Sequence, residues 1–187
     1  MSNKIRYGLR NVFYAKITSV STAGVPTYGT PVSIPGAVNL SLSASGDGSD
    51  FFADDSVYFH TQANSGYSGT LEMALITDAF KQDILGDMTN TAGVQFESAD
   101  AQTAEFALMF EFQGDANATR HLFYRCTASR PDVTGATKET SVTPQTETLN
   151  LTAMPRLDNA YVKAKVEATA TTVYNNWFTT VYTGTAS

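Results

Sequence analysis

Residues Gly36 to Phe80 read GAVNLSLSASGDGSDFFADDSVYFHTQANSGYSGTLEMALITDAF. The stretch opens on an alternating run, Val38 to Ala44, with Val38, Leu40 and Leu42 on one side and Asn39, Ser41 and Ser43 on the other. Successive side chains of a strand point to opposite faces, so this is the period of a half-buried strand. Gly46-Asp47-Gly48-Ser49-Asp50 then breaks the pattern, and Phe51-Phe52-Ala53-Asp54-Asp55 follows as an aromatic and acidic segment. Ser56 to Ala63 alternates loosely and reads as a return strand, and Asn64 to Gly69 reads as a turn. Leu71 to Ile76 is a further strand, and Asp78 to Leu85 is a short amphipathic helix. Thr77 or Asp78 can cap that helix, Phe80 and Ile84 share one face, and Gly86 fits the left-handed position after its last turn. The stretch therefore predicts strand, projecting excursion, strand and helix, with the phenylalanines at residues 51 and 52 either folding back onto the domain or anchoring in a neighbouring subunit.

Outward from it, the chain is strand-rich. Val12 to Val20 is β-branched and aromatic and reads as the first strand. Before it, Met1 to Asn11 carries Lys4, Arg6 and Arg10 and reads as an arm, either frayed or lying on a neighbour's acidic surface. Ser21 to Pro35, spaced by prolines, cannot be a central strand. Gln95 to Ser98 is a short strand after a turn at Asn90 to Gly93. Glu105 to Gln113 has the clearest alternation, with Phe106, Leu108, Phe110 and Phe112 expected inward and Glu105, Ala107, Met109 and Glu111 outward. Thr119 to Thr127 is its hairpin partner, placing Arg120 and Arg125 within reach of the glutamates. Pro131 to Pro144 reads as a polar loop, and Thr146 to Ala153 and Tyr161 to Thr169 as strands. The aromatic tail, Val173 to Tyr182 with Tyr174, Trp177, Phe178 and Tyr182, reads as a last strand that completes a sheet or adds to a neighbour's edge.

Composition narrows the function classes. A chain of 187 residues suits one domain with a real core. Charged residues make up 16%, below the about 25% of an average domain, so the surface is either covered by a partner in an oligomer or is that of an ordinary Ser/Thr-rich sandwich. The net charge is −6. Between Ile17 and Thr119 the one basic residue is Lys81, a bias that repels phosphates and argues against gripping nucleic acid. A single cysteine, Cys126, excludes an intrachain disulfide and reads as a buried small residue. The N-terminus lacks the uninterrupted apolar core of a signal peptide, and no apolar run reaches membrane-spanning length.

Catalytic chemistry has no residue set to rest on, and no cofactor is expected. His60 and His121 lack zinc-spaced partners. Asp47, Asp50, Asp54 and Asp55 are hard-cation ligands by type, but their spacing fits no EF-hand loop, and no metal is assigned to them. Gly66-Tyr67-Ser68-Gly69 is not a nucleophile elbow, and no phosphate-cradling glycine loop is present.

Several segments together carry a family likeness. Tyr7-Gly8-Leu9-Arg10-Asn11-Val12-Phe13-Tyr14-Ala15, Pro35-Gly36-Ala37, Phe52-Ala53-Asp54-Asp55 and Leu75-Ile76-Thr77-Asp78-Ala79-Phe80 occur in an order and spacing that resembles the major tail protein, the tail-tube subunit, of long non-contractile-tailed bacteriophages (siphophages). The resemblance implies a mainly β fold of two packed antiparallel sheets, a β-sandwich or half-barrel, with one flanking helix. It implies a single domain over residues 1–187, with an N-terminal arm at 1–11, a projecting loop at 45–55, the helix at 78–85 and a C-terminal segment at 170–187. It further implies self-assembly into stacked, hexameric rings, and a virion location in the tail after assembly in the host cytoplasm. Tape-measure, tail-tip and tail-terminator proteins would be partners, and double-stranded DNA would pass through the lumen unbound. The expected contacts between subunits are Asp47, Asp50, Phe51, Phe52, Asp54 and Asp55 of the loop, Arg6 and Arg10 of the arm, and Trp177 and Phe178 of the tail. The competing expectation is a non-enzymatic β-sandwich that binds carbohydrate or protein, which needs Tyr174, Trp177 and Tyr182 displayed on one open face.

Overall fold

The computed structural model describes residues 3–137 and 144–184. Residues 1–2 of the expected arm, 138–143 of the expected polar loop and 185–187 of the tail lie outside the described residues. In chain order the strands are β1 (Arg6–Val20), β2 (Pro26–Tyr28), β3 (Val32–Ile34), β4 (Ala37–Ser45), β5 (Gly48–Ala53), β6 (Ser56–Gln62) and β7 (Gly66–Met73). Helix α1 (Asp78–Phe80) follows, continued by a π-helical turn at Lys81–Leu85. Then come β8 (Met88–Thr89), β9 (Gln95–Phe96), β10 (Phe106–Gly114), β11 (Thr119–Ala128), β12 (Glu147–Met154), β13 (Lys163–Val166) and helix α2 (Thr171–Asn175). The fold is mainly β, with one large antiparallel sheet and two small hairpin sheets, β5–β6 and β8–β9.

The large sheet runs β2-β1-β10-β11-β12-β7-β4, with β3 also on β1 and β13 also on β11. Strand β11 is shared: its first half pairs with β13 and its second half with β12. The sheet curls, so that β4 at one end of the order returns to within 8 Å (Cα–Cα) of β1.

Strand β10 is the centre, and it corrects the expected inside–outside split. Phe106, Leu108 and Phe110 join the larger core, with Tyr14, Leu71, Met73, Phe80, Ile84, Phe123, Leu149 and Leu151. Ala107 and Met109, expected to face outward, are fully buried in a second cluster on the opposite face, with Leu122, Tyr124 and Trp177. The cause is the C-terminal segment, which lies across that second face. It is not the strand its aromatic content predicts but α2 followed by turns through residue 180. Trp177 donates from Nε1 to the His121 carbonyl at 3.3 Å, and Phe178 stacks on Phe13 at 4.8 Å.

Three further corrections have local causes. Residues 6–11, expected to belong to a loose arm, are the first part of β1 and pair with β10. Val38, expected inward, is half-exposed because it is the extra residue between the Ala37–Met73 and Asn39–Glu72 pairs, so Ala37 packs on the core instead. Gly66 to Gly69, expected to turn, starts β7. A Cβ at Gly66 would stand 2.0 Å from the Ala153 carbonyl oxygen, and Gly66 has φ +115°, so glycine is what lets β7 and β12 approach here.

The helix forms where expected. Thr77 Oγ1 accepts from the Phe80 amide, and Gly86 closes the element with φ 80°. Phe80 sits edge-on to both Tyr14 and Phe106. The Tyr14 hydroxyl donates to Asp83 Oδ2 at 2.7 Å, tying the helix to β1. Cys126 is buried, and burial pushes its thiol up to about 12. No helix among the described residues is long and apolar enough to cross a membrane.

Candidate functional site

Two surface features hold the unusual chemistry of the molecule. The first is the ribbon β5–β6, which springs from the end of the β4–β7 pair and, among the described residues, makes its strand pairs only within itself. The expected loop at 45–55 is thus the first half of a hairpin. Its tip is Asp54-Asp55, with φ of 51° and 59°. Positive φ at both central residues of a two-residue connection is the turn that matches strand twist, and aspartate tolerates it. Two of the expected loop carboxylates are therefore turn formers.

Among the described residues the ribbon adds no side chain to either core cluster. Phe51 is 61% exposed, Phe52 64%, Tyr58 74% and Phe59 60%. Phe51 faces Phe59 across the ribbon, and Phe52 faces Val57. Tyr58 is the extra residue between these two pairs, so the ribbon is bulged there, and its four aromatic side chains stand open as one exposed apolar segment. Among its acids, Asp50 meets His60 at 2.5 Å; Asp47, Asp54 and Asp55 have no cationic partner among the described residues. These carboxylates are strung along the ribbon, and among the described residues no group of three or more His, Cys, Asp or Glu converges as metal ligands.

The second feature is a cleft where β1, β11 and β13 meet. One cavity of about 630 Å³ is lined by Lys4, Arg6, His121, Lys163, Lys165 and, as the single carboxylate among the described residues, Glu167, with others. An adjoining cavity shares Arg6, His121 and Lys163 and has an apolar floor that includes Leu42, Phe110, Phe112 and Phe123. Lysine 165 reaches Glu167 at 3.4 Å. Arg6 and Lys163 have no carboxylate partner among the described residues. They lie on rings instead: Arg6 over Phe112 at 5.0 Å, and Lys163 over Tyr67 at 4.5 Å while donating to its hydroxyl at 2.6 Å. Burial, reinforced by Arg6, Lys163 and Lys165, lowers the His121 imidazole to about 4, so it is neutral at pH 7. The cleft is a concentrated positive patch on an acidic chain.

The remaining expected contact residues lie elsewhere. Arg10 is half-exposed and pairs with Glu111 at 2.6 Å. Glu111, expected outward, is buried and also meets Arg120 at 2.9 Å and the Asn11 amide at 3.0 Å. Asn11 reaches it from a bulge with φ 52°, a conformation asparagine accepts. Arg120 in turn lies 3.7 Å from the centre of the Tyr174 ring and donates to the Tyr174 carbonyl. The cluster Arg10–Glu111–Arg120 therefore clamps the C-terminal segment to the sheet. Arg125 pairs with Glu105 through two bonds, diagonally across the hairpin. Trp177 is 2% exposed and Phe178 half-buried, so both pack within this chain. With Trp177 inside and Tyr174 under Arg120, the three aromatics a sugar-binding face would need do not stand on one open surface.

Sequence reasoning missed the cleft. Its cations come from Lys4, the first strand and β13, far apart in the chain, and the sheet order β1-β10-β11-β13 brings them together. The available signal was Lys163 and Lys165 on the outward side of an alternating strand, in a chain with few cations. No protein-family model matches this chain, and no curated protein matches it.

Proposed function

We propose that the chain is a non-enzymatic structural subunit that assembles with copies of itself into rings, and that the rings stack into a tube. The observation that carries this reading is the β5–β6 ribbon, whose large apolar side chains Phe51, Phe52, Tyr58 and Phe59 are exposed and unmet among the described residues. Leaving such a surface in water forgoes about 25 cal/mol for each Å² of apolar area that contact would bury. Open strand edges support the same reading: among the described residues β4 pairs only with β7, and residues 6–11 of β1 only with β10.

The likeness to siphophage tail-tube subunits gives the assembly its purpose. The curled sheet and flanking helix are compatible with the two packed antiparallel layers, sandwich or half-barrel, of that family. On this reading the rings are hexameric, the location is the virion tail, and the tube forms around a tape-measure protein between tail-tip and tail-terminator proteins. DNA crosses the lumen without specific binding, which an acidic subunit favours. Negative-stain microscopy of the purified full chain across a concentration series tests the proposal. Rings or tubes are expected; a monodisperse monomer at every concentration and ionic strength would end it.

A further inference from the structure

We infer that the β5–β6 ribbon of one copy seats in the cationic, ring-floored cleft of a second copy, its aspartates meeting Arg6 and Lys163 and a ribbon phenylalanine covering the apolar floor. This rests on the self-assembly reading above and names the surface that receives the arm. The two features are complementary in each property that matters. The ribbon offers Asp47, Asp54 and Asp55, without cationic partners among the described residues, and Asp50, met by His60 alone, beside exposed phenylalanines. The cleft offers Arg6 and Lys163, without carboxylate partners among the described residues, above Phe110, Phe112 and Phe123. Of the described side chains lining the larger cavity, Lys4, Arg6, Lys163 and Lys165 are cations against the one carboxylate Glu167, while neutral His121 adds no charge.

Aromatic groups set between charges are what central interface anchors look like, and opposite charge at the rim fixes register and speeds encounter. The ribbon is exposed along its length and leaves its own cleft open, so the receiving cleft belongs to another copy. Such a contact joins two different patches. Repeated head to tail, it closes into a ring or runs on as a filament, the geometry a ring-and-tube subunit needs.

A charge-exchange experiment on the full chain decides it. Arg6→Glu with Lys163→Glu reverses the cleft, and Asp47→Lys with Asp50→Lys reverses the ribbon at positions without positive φ. All four side chains are exposed, and circular dichroism melting of each variant verifies that it folds. Each reversed variant alone is expected to need at least about tenfold more protein to assemble, since like charges then face each other. An equal mixture is expected to recover assembly, because each variant's arm then fits the other's cleft. If wild type assembles and the reversed variants assemble equally well, or if the mixture recovers nothing, the arm binds elsewhere and the inference fails while the tube reading stands. If the wild-type chain never assembles, both fall.

Discussion

Glu111 shows how one residue can govern a whole segment. It is 1% exposed, and its carboxylate is met by Arg10, Arg120 and Asn11. Arg120 passes the connection on to Tyr174. Removing one member of a buried ion pair strands the other charges, at a cost of about 3–5 kcal/mol. Glu111→Ala is therefore expected to lower unfolding free energy by about 3 kcal/mol in urea titration. Arg10→Ala, at a half-exposed site, is expected to cost under about 1 kcal/mol. Equal effects of the two would show that the cluster is not the clamp.

His121 gives the residue scale a pH dependence. Burial holds its imidazole down to about 4 in the folded chain, against about 6.5 when unfolded. Between those values the unfolded chain binds a proton that the folded chain refuses, so stability falls as pH drops from about 6.5 toward 4. Below that both forms are protonated and this contribution is lost in full. His121→Phe keeps a ring against Phe110 and Phe112 and removes the proton. The difference in melting temperature between wild type and His121→Phe should therefore shift in favour of the variant from pH 7 to pH 4.5; a difference independent of pH would refute the assignment.

Among the elements, the ribbon is the one the core does not need. No ribbon residue belongs to either core cluster. Replacing residues 47–62 by a two-residue turn should leave the melting temperature within a few degrees of wild type, since shortening a surface loop changes its closure entropy only slowly, while abolishing assembly. Gly66 at the ribbon's root is the opposite case. Gly66→Ala drives a methyl into the Ala153 carbonyl and should destabilise by about 1–3 kcal/mol, read by thermal melting.

These elements also show what was legible in the sequence. Alternation alone placed β10 and β12, and the Thr77 cap with Gly86 bounded the helix, because those patterns are set locally. What alternation could not reveal was that the second face of β10 is covered too. Ala107 and Met109 serve on either side of a sheet, and the residues that bury them lie in a tail whose aromatics favour a strand but whose path is fixed by Arg120 and by Trp177 on the His121 carbonyl. The Val38 bulge and the start of β7 at Gly66 were hidden for a similar reason, since each is defined by its neighbour strand. Of the candidate site, the ribbon phenylalanines were visible in one contiguous segment. The cleft was not, because it exists only after β1, β11 and β13 meet.

For the molecule as a whole, an arm-to-cleft contact makes every copy both donor and acceptor. A chain lacking residues 47–62 keeps its cleft and loses its arm, so it accepts a neighbour and offers nothing onward. Such a chain should poison assembly below stoichiometry: adding about one part in ten should reduce intact rings and shorten tubes far more than dilution of wild type by the same fraction, since one defective member interrupts a head-to-tail series. Charge predicts the companion effect of salt. Each copy carries a net charge of −6, so screening relieves general repulsion, while the same screening weakens the local attraction between ribbon and cleft. The Debye length is about 10 Å at 0.1 M and about 3 Å at 1 M, and assembly should pass through an optimum between low and high salt rather than change in one direction. Length distributions from negative-stain images, collected across a salt series with and without the armless chain, read both effects. An armless chain that leaves lengths untouched would mean that assembly proceeds through a contact in which the ribbon takes no part.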